Sequence, residues 1–480
     1  MGGSVKKNYL YNLIYQVTAV ILPLITMPYV SRVLDADGIG INSYTNANMQ
    51  YFILLGSLGI STYATKQIAT VREKGDKLRR NFWEIFSIQF IGCMMAYLIF
   101  ICVLGTRKDL GLYYFLQGFF ILGTALDVSW YFLGIENFKN ASIRNFLVKV
   151  ISVILIFIFV KTKNDLGKYI FINSFTMFLG QLIMWIYIGK DILKFKGIKK
   201  FNSIRHIRPV LALFIPQMAT QVYMVLDKTM TGKLSNTLQV GYYDQSQKII
   251  RVLLTVLTSL GMVMLPRIAN LHSKDAHDEI KLYLKKAFSL ISFLAIPMAF
   301  GIMGVSERFI PLFFGRQYES VVPLTIISSI MVIIIGLGNV FGTQYMLATG
   351  KNSQYTVSVC VGAAINFILN VILIPKLYAM GAVIATVTAE FCIALIQLWY
   401  SRNIVDKSWI KENYKYWVSG IVMLILVKVI GNIEGANVFV LAMQVIIGGI
   451  SYFSSLLILK DKLLLNSIKV VLDKVKGRIS

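Results

Sequence analysis

The sequence predicts an all-α polytopic membrane protein of about 14 transmembrane helices, arranged as two pseudo-symmetric bundles with both termini cytoplasmic. Three observations predict it. Of 480 residues, 56% are hydrophobic and only 15% are charged, with a mean hydropathy of +0.66. A soluble domain could not bury that much apolar surface, so most of the chain uses lipid as its solvent. Apolar runs of about 20 residues recur from one end to the other, and lysine and arginine are concentrated in alternate loops.

The runs lie near 9–34, 39–65, 83–104, 110–134, 145–160, 168–189, 209–232, 239–265, 287–305, 319–348, 354–374, 380–400, 416–430 and 436–459. The first, second, seventh, eighth and tenth are longer and more polar than simple anchors. Lys6 and Lys7 precede a long, proline-containing run with no small-residue cleavage site, so the start of the chain is not read as a cleavable signal. With the N-terminus inside, 34 of the 48 lysines and arginines fall in cytoplasmic segments and ten in outer loops. That bias sets the orientation. The net charge of +25 is therefore topological: it is spread over eight separate segments and offers no concentrated surface for nucleic acid. From Lys460 to Ser480, Leu464, Ile468, Val471 and Val475 recur at helical spacing between lysines, the pattern of an amphipathic helix on the inner leaflet.

Internal symmetry divides the chain. Aligning SRVLDADGIGINSY with GKLSNTLQVGYYDQ places Gly40 on Gly241 at an offset of 201, and Ile68–Ala69 meets Ile268–Ala269 at an offset of 200. Both copies stand at the same point in the order of spans, so the repeat axis lies along the membrane normal. The expected organisation is a six-helix lobe over 1–206, a second over 207–402, two additional spans over 403–459 and a basic tail over 460–480.

Catalytic and metal chemistry find no motif. Cys93, Cys102, Cys360 and Cys392 lie in apolar stretches without paired spacing, and His206, His272 and His277 lie in polar loops. There is no G-x-x-x-x-G-K-[ST], H-E-x-x-H or C-x-x-C. No enzyme, metal or cofactor is expected.

Ionisable groups inside spans cost roughly 2.5–3.5 kcal/mol each, so each needs a reason. They are Asp127, Asp227, Lys228, Asp244, Lys248, Arg251, Glu390 and Lys428, and five of the eight fall between 227 and 251. Asp244, Lys248 and Arg251 share one helix face at i, i+4, i+7. Two readings compete. Asp244 and Lys248 can pair along the helix, with Asp227 beside them; alternatively, the cations can meet an anionic ligand, since guanidinium suits phosphate. Asp127, Asp227, Asp244 and Glu390 stand as candidates for ion coupling or for structural ion pairs. In the first two spans Asn12, Tyr15 and Gln16, then Asn42, Asn46 and Gln50, form amide and hydroxyl stripes suited to a sugar-lined cavity or to helix association. Arg32 closes the first span, where it can serve as a second phosphate contact or an anchor. Pro23, Pro28 and Pro216 break the opening helix of each half, leaving places to bend.

Several ordered stretches stand out: ILPLITMPYVSRVLDADGIGINSYT at 21–45, VSWYFLGIENFK at 128–139, LDKTMTG with VGYYDQSQKI at 226–249, VMLPRIA at 263–269, and FGTQYMLATGK with NFILNVILIPK at 341–376. With them the chain resembles the polysaccharide-biosynthesis flippases (Wzx-type, serving O-antigen or capsule repeat units) of the multidrug/oligosaccharidyl-lipid/polysaccharide exporter superfamily. It implies a V-shaped exporter fold opening to one side at a time. It also implies a partner, a polyprenyl-diphosphate-linked oligosaccharide, flipped outward across the plasma membrane. The expected site is Lys248 and Arg251 on the diphosphate, with Lys228 and Arg32 assisting. Membrane lipids, H+ or Na+, and other polysaccharide-assembly proteins are further candidate partners. A cation-coupled exporter of small molecules and a membrane-embedded glycan polymerase or ligase are the rival readings. Drug-exporting cousins commonly carry an acidic group in the first span; this first span has none.

Overall fold

The computed structural model describes residues 2–194, 201–435, 437–466 and 468–469; the side chains of 2–21, 138–141 and several positions within 213–220, 260–263 and 407–410 lie outside the description. Among the described residues every regular element is helical. Lipid offers no hydrogen bonds to a bare backbone, and a helix satisfies its own. The first elements are α1 (Gly2–Ser57), α2 (Ile60–Val71), α3 (Gly75–Phe100), α4 (Gly111–Ala125), α5 (Ser129–Gly134), α6 (Phe138–Phe159), α7 (Leu166–Ile186) and the single turn α8 (Lys190–Leu193). There follow α9 (Ile204–Leu234), α10 (Thr237–His272), α11 (His277–Phe314), α12 (Val321–Ser328), α13 (Ile330–Asn339), α14 (Asn352–Leu377), α15 (Ala379–Tyr400), α16 (Lys407–Gly431) and α17 (Asn437–Ile458).

Among the described residues, ten helices are long and apolar enough to cross a membrane, or up to eleven if the bent pair Thr237–Ser259 and Met264–His272 counts as one span. Of the expected fourteen runs, the first, second and seventh fall on α1 and α9, parts of which lie outside the described residues. α9 has 31 residues, about 46 Å at 1.5 Å per residue, more than a hydrocarbon core of about 30 Å.

The expected helix breaks move. Inside α1 the backbone leaves helical geometry at Asp35 (φ 60°, ψ 175°), while Pro23 and Pro28 sit within the helix. Asp35 tolerates positive φ better than most side chains, and Lys163 pairs with its carboxylate. The side chain of Pro216 lies outside the described residues. The second run also ends early, at a turn where Leu58 and Gly59 take φ of 49° and 60°. The chain then restarts as α2, which continues to Val71.

The chain divides into two compact units, Met1–Gly241 and Tyr242–Ser480. The repeat places a division at 206; the contacts place one at 241, because α9 packs against α1, α2 and α3. In the first unit, Ile68, Phe82, Trp130 and Met184 centre one core, and Met49, Cys93, Tyr114 and Ile121 another. In the second, Ile250, Ile291, Val332, Trp409 and Leu456 share a single core. The outward faces are apolar too: Ile91, Met95, Leu98 and Ile99 of α3 are all more than half exposed. A helix apolar all round is one solvated by lipid. The four cysteines are free thiols.

One crossing in the first unit is unusually close. A Cβ on Gly40 would overlap the backbone carbonyl of Thr237, and one on Gly241 would overlap the carbonyl of Ala36. The offset of 201 that relates Gly40 to Gly241 also relates Ala36 to Thr237, so the contact is reciprocal under the repeat. Small residues let helices meet backbone to backbone where lipid provides no hydrophobic drive. Beside it, Thr237 donates to Asp37 at 2.7 Å.

Candidate functional site: a basic stripe on α10

α10 presents two polar faces. Tyr243, Ser246 and Gln247 turn into the core of the second unit. Gln247 donates to the Ser328 hydroxyl at 3.0 Å, Ser246 shares a 3.3 Å hydrogen bond with the same hydroxyl, and Tyr243 meets Thr386 at 3.3 Å. These bonds fasten α10 to α12 and α15 and so set the direction of its other face. There Asp244 is buried, and Lys248, half-buried, reaches back to it at 2.7 Å. One turn on, Arg251 is exposed. Among the described residues its guanidinium forms no ion pair. The stripe therefore contains one neutralised cation and one open one, in a segment too apolar for either to be incidental.

The other expected site residues separate by environment. Asp227 of α9 is buried, Lys228 is half-buried and Arg32 is exposed. Asn42 and Asn46 turn toward α4: the Gln117 amide donates to Asn42 Oδ1 at 3.2 Å and accepts from Asn46 at 3.4 Å. Gln50, exposed, lines a small cavity of about 250 Å³ with Tyr51, Ser57 and Gln221. Asn12, Tyr15 and Gln16 have side chains outside the described residues. Asp127 Oδ1 accepts the Ser129 amide at 2.8 Å, just before α5. Glu390 is half-buried on α15, and Asn366 and Asn370 are buried on α14 with a 3.0 Å hydrogen bond between them. Lys428 pairs with Glu307 at 2.6 Å, which accounts for its place in a span.

Sequence reasoning passed over Glu84. Its carboxylate is fully buried, yet it receives Arg205 at 2.5 Å, the Asn202 amide at 2.7 Å, His206 Nε2 at 2.9 Å and Arg80 at 3.5 Å. The cluster fastens the start of α9 to α3. Glu84 stands at the edge of the third run, 83–104, and is not among the eight ionisable groups read as lying inside spans; the apolar neighbours Phe82, Ile85 and Phe86 are the signal that it points inward.

Burial holds the His206 imidazole below its ordinary 6.5, with the Arg205 charge acting the same way and the Glu84 hydrogen bond opposing both. The fold therefore favours the neutral ring, which shares hydrogen bonds with Tyr63 through Nδ1 (2.6 Å) and with Glu84 through Nε2 (2.9 Å). The unfolded chain takes up a proton as pH falls through about 6.5 and the folded one does so only lower, so stability declines on acidification. Thermal unfolding in detergent is expected at lower temperature near pH 5 than near pH 7.5, with the His206→Asn variant losing part of that dependence. An unchanged slope in the variant would count against this assignment.

A sequence profile of polysaccharide biosynthesis proteins matches residues 5–272. A protein of Escherichia coli (strain K12) named "Putative O-antigen transporter" is 23% identical over 409 residues, covering 83% of this chain and 97% of that protein. "Capsular polysaccharide biosynthesis protein CapF" of Staphylococcus aureus is 23% identical over 277 residues, covering 55% of this chain and 67% of its own length. Among solved structures, the lipid II flippase MurJ in an inward closed conformation superposes with a TM-score of 0.75 at 17% identity, covering 95% of this chain and 100% of that one. At that identity the likeness shows a shared fold. With ten apolar spans among its described residues and this profile match, the chain is a multi-pass plasma-membrane protein that belongs to the polysaccharide biosynthesis protein family.

Proposed function

We propose that the chain flips a polyprenyl-diphosphate-linked oligosaccharide from the cytoplasmic to the outer face of the plasma membrane by alternating access, for cell-surface polysaccharide assembly. Both termini then face the cytoplasm. The observation that carries the reading is Arg251: an exposed guanidinium on a membrane helix, one turn beyond a cation already neutralised by Asp244. A planar, permanently charged fork suits a phosphate oxygen pair. The names of the E. coli and S. aureus relatives point to the same class of cargo.

In this reading Arg251 meets the diphosphate first, and Lys248 joins by exchanging Asp244 for phosphate. Lys228 and Arg32 are further candidate phosphate contacts. Asn12, Tyr15, Gln16 and Gln50 supply hydroxyls and amides for the sugars, and Asn42 and Asn46 complete the stripe. The lipid tail stays in the bilayer. Moving negative charge outward against an inside-negative potential releases about 2.3 kcal/mol per charge per 100 mV, so export of a diphosphate can proceed without nucleotide hydrolysis. Ion exchange through Asp127, Asp227, Asp244 or Glu390 is the further mode that this energetics leaves open.

Arg251→Ala is expected to abolish flipping at normal protein level. The readout is the fraction of lipid-linked repeat units left on the cytoplasmic face, scored by accessibility to an externally added glycosidase. Preserved flipping in that variant would remove Arg251 from the site. Drug efflux driven by a cation gradient, with surface glycan unaffected, would replace the proposed cargo with a small organic molecule.

A further inference from the structure

A second basic site lies in the same unit as the α10 stripe, Tyr242–Ser480, but on different helices. The starts of α11 and α16 and the first residues of the tail enclose a half-open cavity of about 670 Å³. No residue of α10 lines it. Five lysines line it (Lys285, Lys286, Lys411, Lys415 and Lys462) against two carboxylates, Glu412 and Asp461.

Both carboxylates are already committed. Glu412 pairs with Lys285 at 2.7 Å, and Asp461 Oδ1 accepts the Leu464 amide at 3.0 Å, capping the tail helix. Lys415 donates to the Lys460 carbonyl at 3.2 Å and so fastens the tail to α16. Lys286, Lys411 and Lys462, all exposed, are left facing the cavity without an anion among the described residues.

The surroundings say what kind of anion fits. The cavity sits where apolar spans give way to charged loops, on the side that the lysine and arginine bias assigns to the cytoplasm. Its walls include Leu282, Tyr414 and Leu463. Leu282 and Tyr414, with Leu465 beside them, are about half exposed, which suits acyl chains and glycerol better than bulk water. Its volume is that of a small-ligand site, and basic pockets between helix ends at this depth suit lipid headgroups. We infer that this cavity binds the phosphodiester headgroup of an anionic phospholipid from the inner leaflet and so docks the tail against the second unit. The inference goes beyond the proposed transport and holds whatever cargo the chain carries.

The test uses the purified full chain in detergent, with binding of dioleoyl-phosphatidylglycerol followed by native mass spectrometry. Each lysine near an anionic surface contributes about a factor of five. Changing Lys286, Lys411 and Lys462 together to glutamine is therefore expected to weaken binding about 100-fold, and the exposed single change Lys411→Gln about fivefold. The same three changes at Lys66, Lys74 and Lys77, in the other unit, are expected to leave it unaltered, which separates a built site from general basicity. Phosphatidylcholine is expected not to compete, nor inorganic phosphate to displace the bound lipid. Equal binding by the triple variant and the parent protein would overturn the proposal. So would competition by phosphatidylcholine, or displacement by inorganic phosphate, which would reassign the cavity to the free anion.

Discussion

Replacing Glu84 by alanine is expected to cost about 3–5 kcal/mol of stability, the loss incurred when one partner of a buried ion pair is removed and the other is left behind. Arg205, Arg80 and His206 all converge on this fully buried carboxylate, and the Asn202 amide would lose its acceptor as well. Glu84→Gln is expected to fall between, since the side-chain oxygen still serves the Asn202 amide while the arginines lose their counter-charge. Denaturation of the purified protein in a graded detergent series measures the effect. The informative control is the double change Glu84→Met with Arg205→Met. Removing both charges should recover much of the loss, because paired burial is costly to break and cheap to replace with packing. A double variant as unstable as Glu84→Ala would mean that the carboxylate acts through something other than charge.

Valine at Gly40 is expected to separate α1 from the start of α10. The atoms in the way are backbone, the Thr237 carbonyl and the Gly241 nitrogen, so no side chain can swing aside to make room. Overpacking of this kind costs about 1–3 kcal/mol where the surroundings can shift, and more where they cannot. Position is the sharper readout. Asp37 and Thr237 are joined by a 2.7 Å side-chain hydrogen bond beside the crossing, so cysteines at the two positions, with the four native cysteines changed to serine, are expected to form a disulfide readily. Adding Gly40→Val should suppress it strongly. Undiminished cross-linking would show that the crossing tolerates a side chain. If transport requires this close approach in one of its states, the same variant will also lose flipping while remaining in the membrane.

The membrane class was legible from hydropathy alone because lipid selects on length and polarity, which are properties of a segment and not of its neighbours. The basic stripe was legible for the same reason: Asp244, Lys248 and Arg251 share a face by helical periodicity, whatever packs around them. What periodicity left undecided was which of these cations is neutralised. Lys248 pairs with Asp244, and Arg251 stays exposed. The amide stripe divided similarly, with Asn42 and Asn46 spent on Gln117 of α4 and Gln50 left at a cavity.

Sequence by itself determined the solvent of this protein, the helical character of its chain and its kinship, including the pairing of Gly40 with Gly241 across the repeat. Only the tertiary structure decided that those two glycines lie at one helix crossing, that Glu84 anchors α9 to α3, and that lysines from three separate stretches surround one cavity. The reason is the same in each instance. A hydrophobic pattern reports how a segment meets its solvent, whereas an ion pair, a backbone contact or a pocket depends on residues more than a hundred positions apart arriving at the same place.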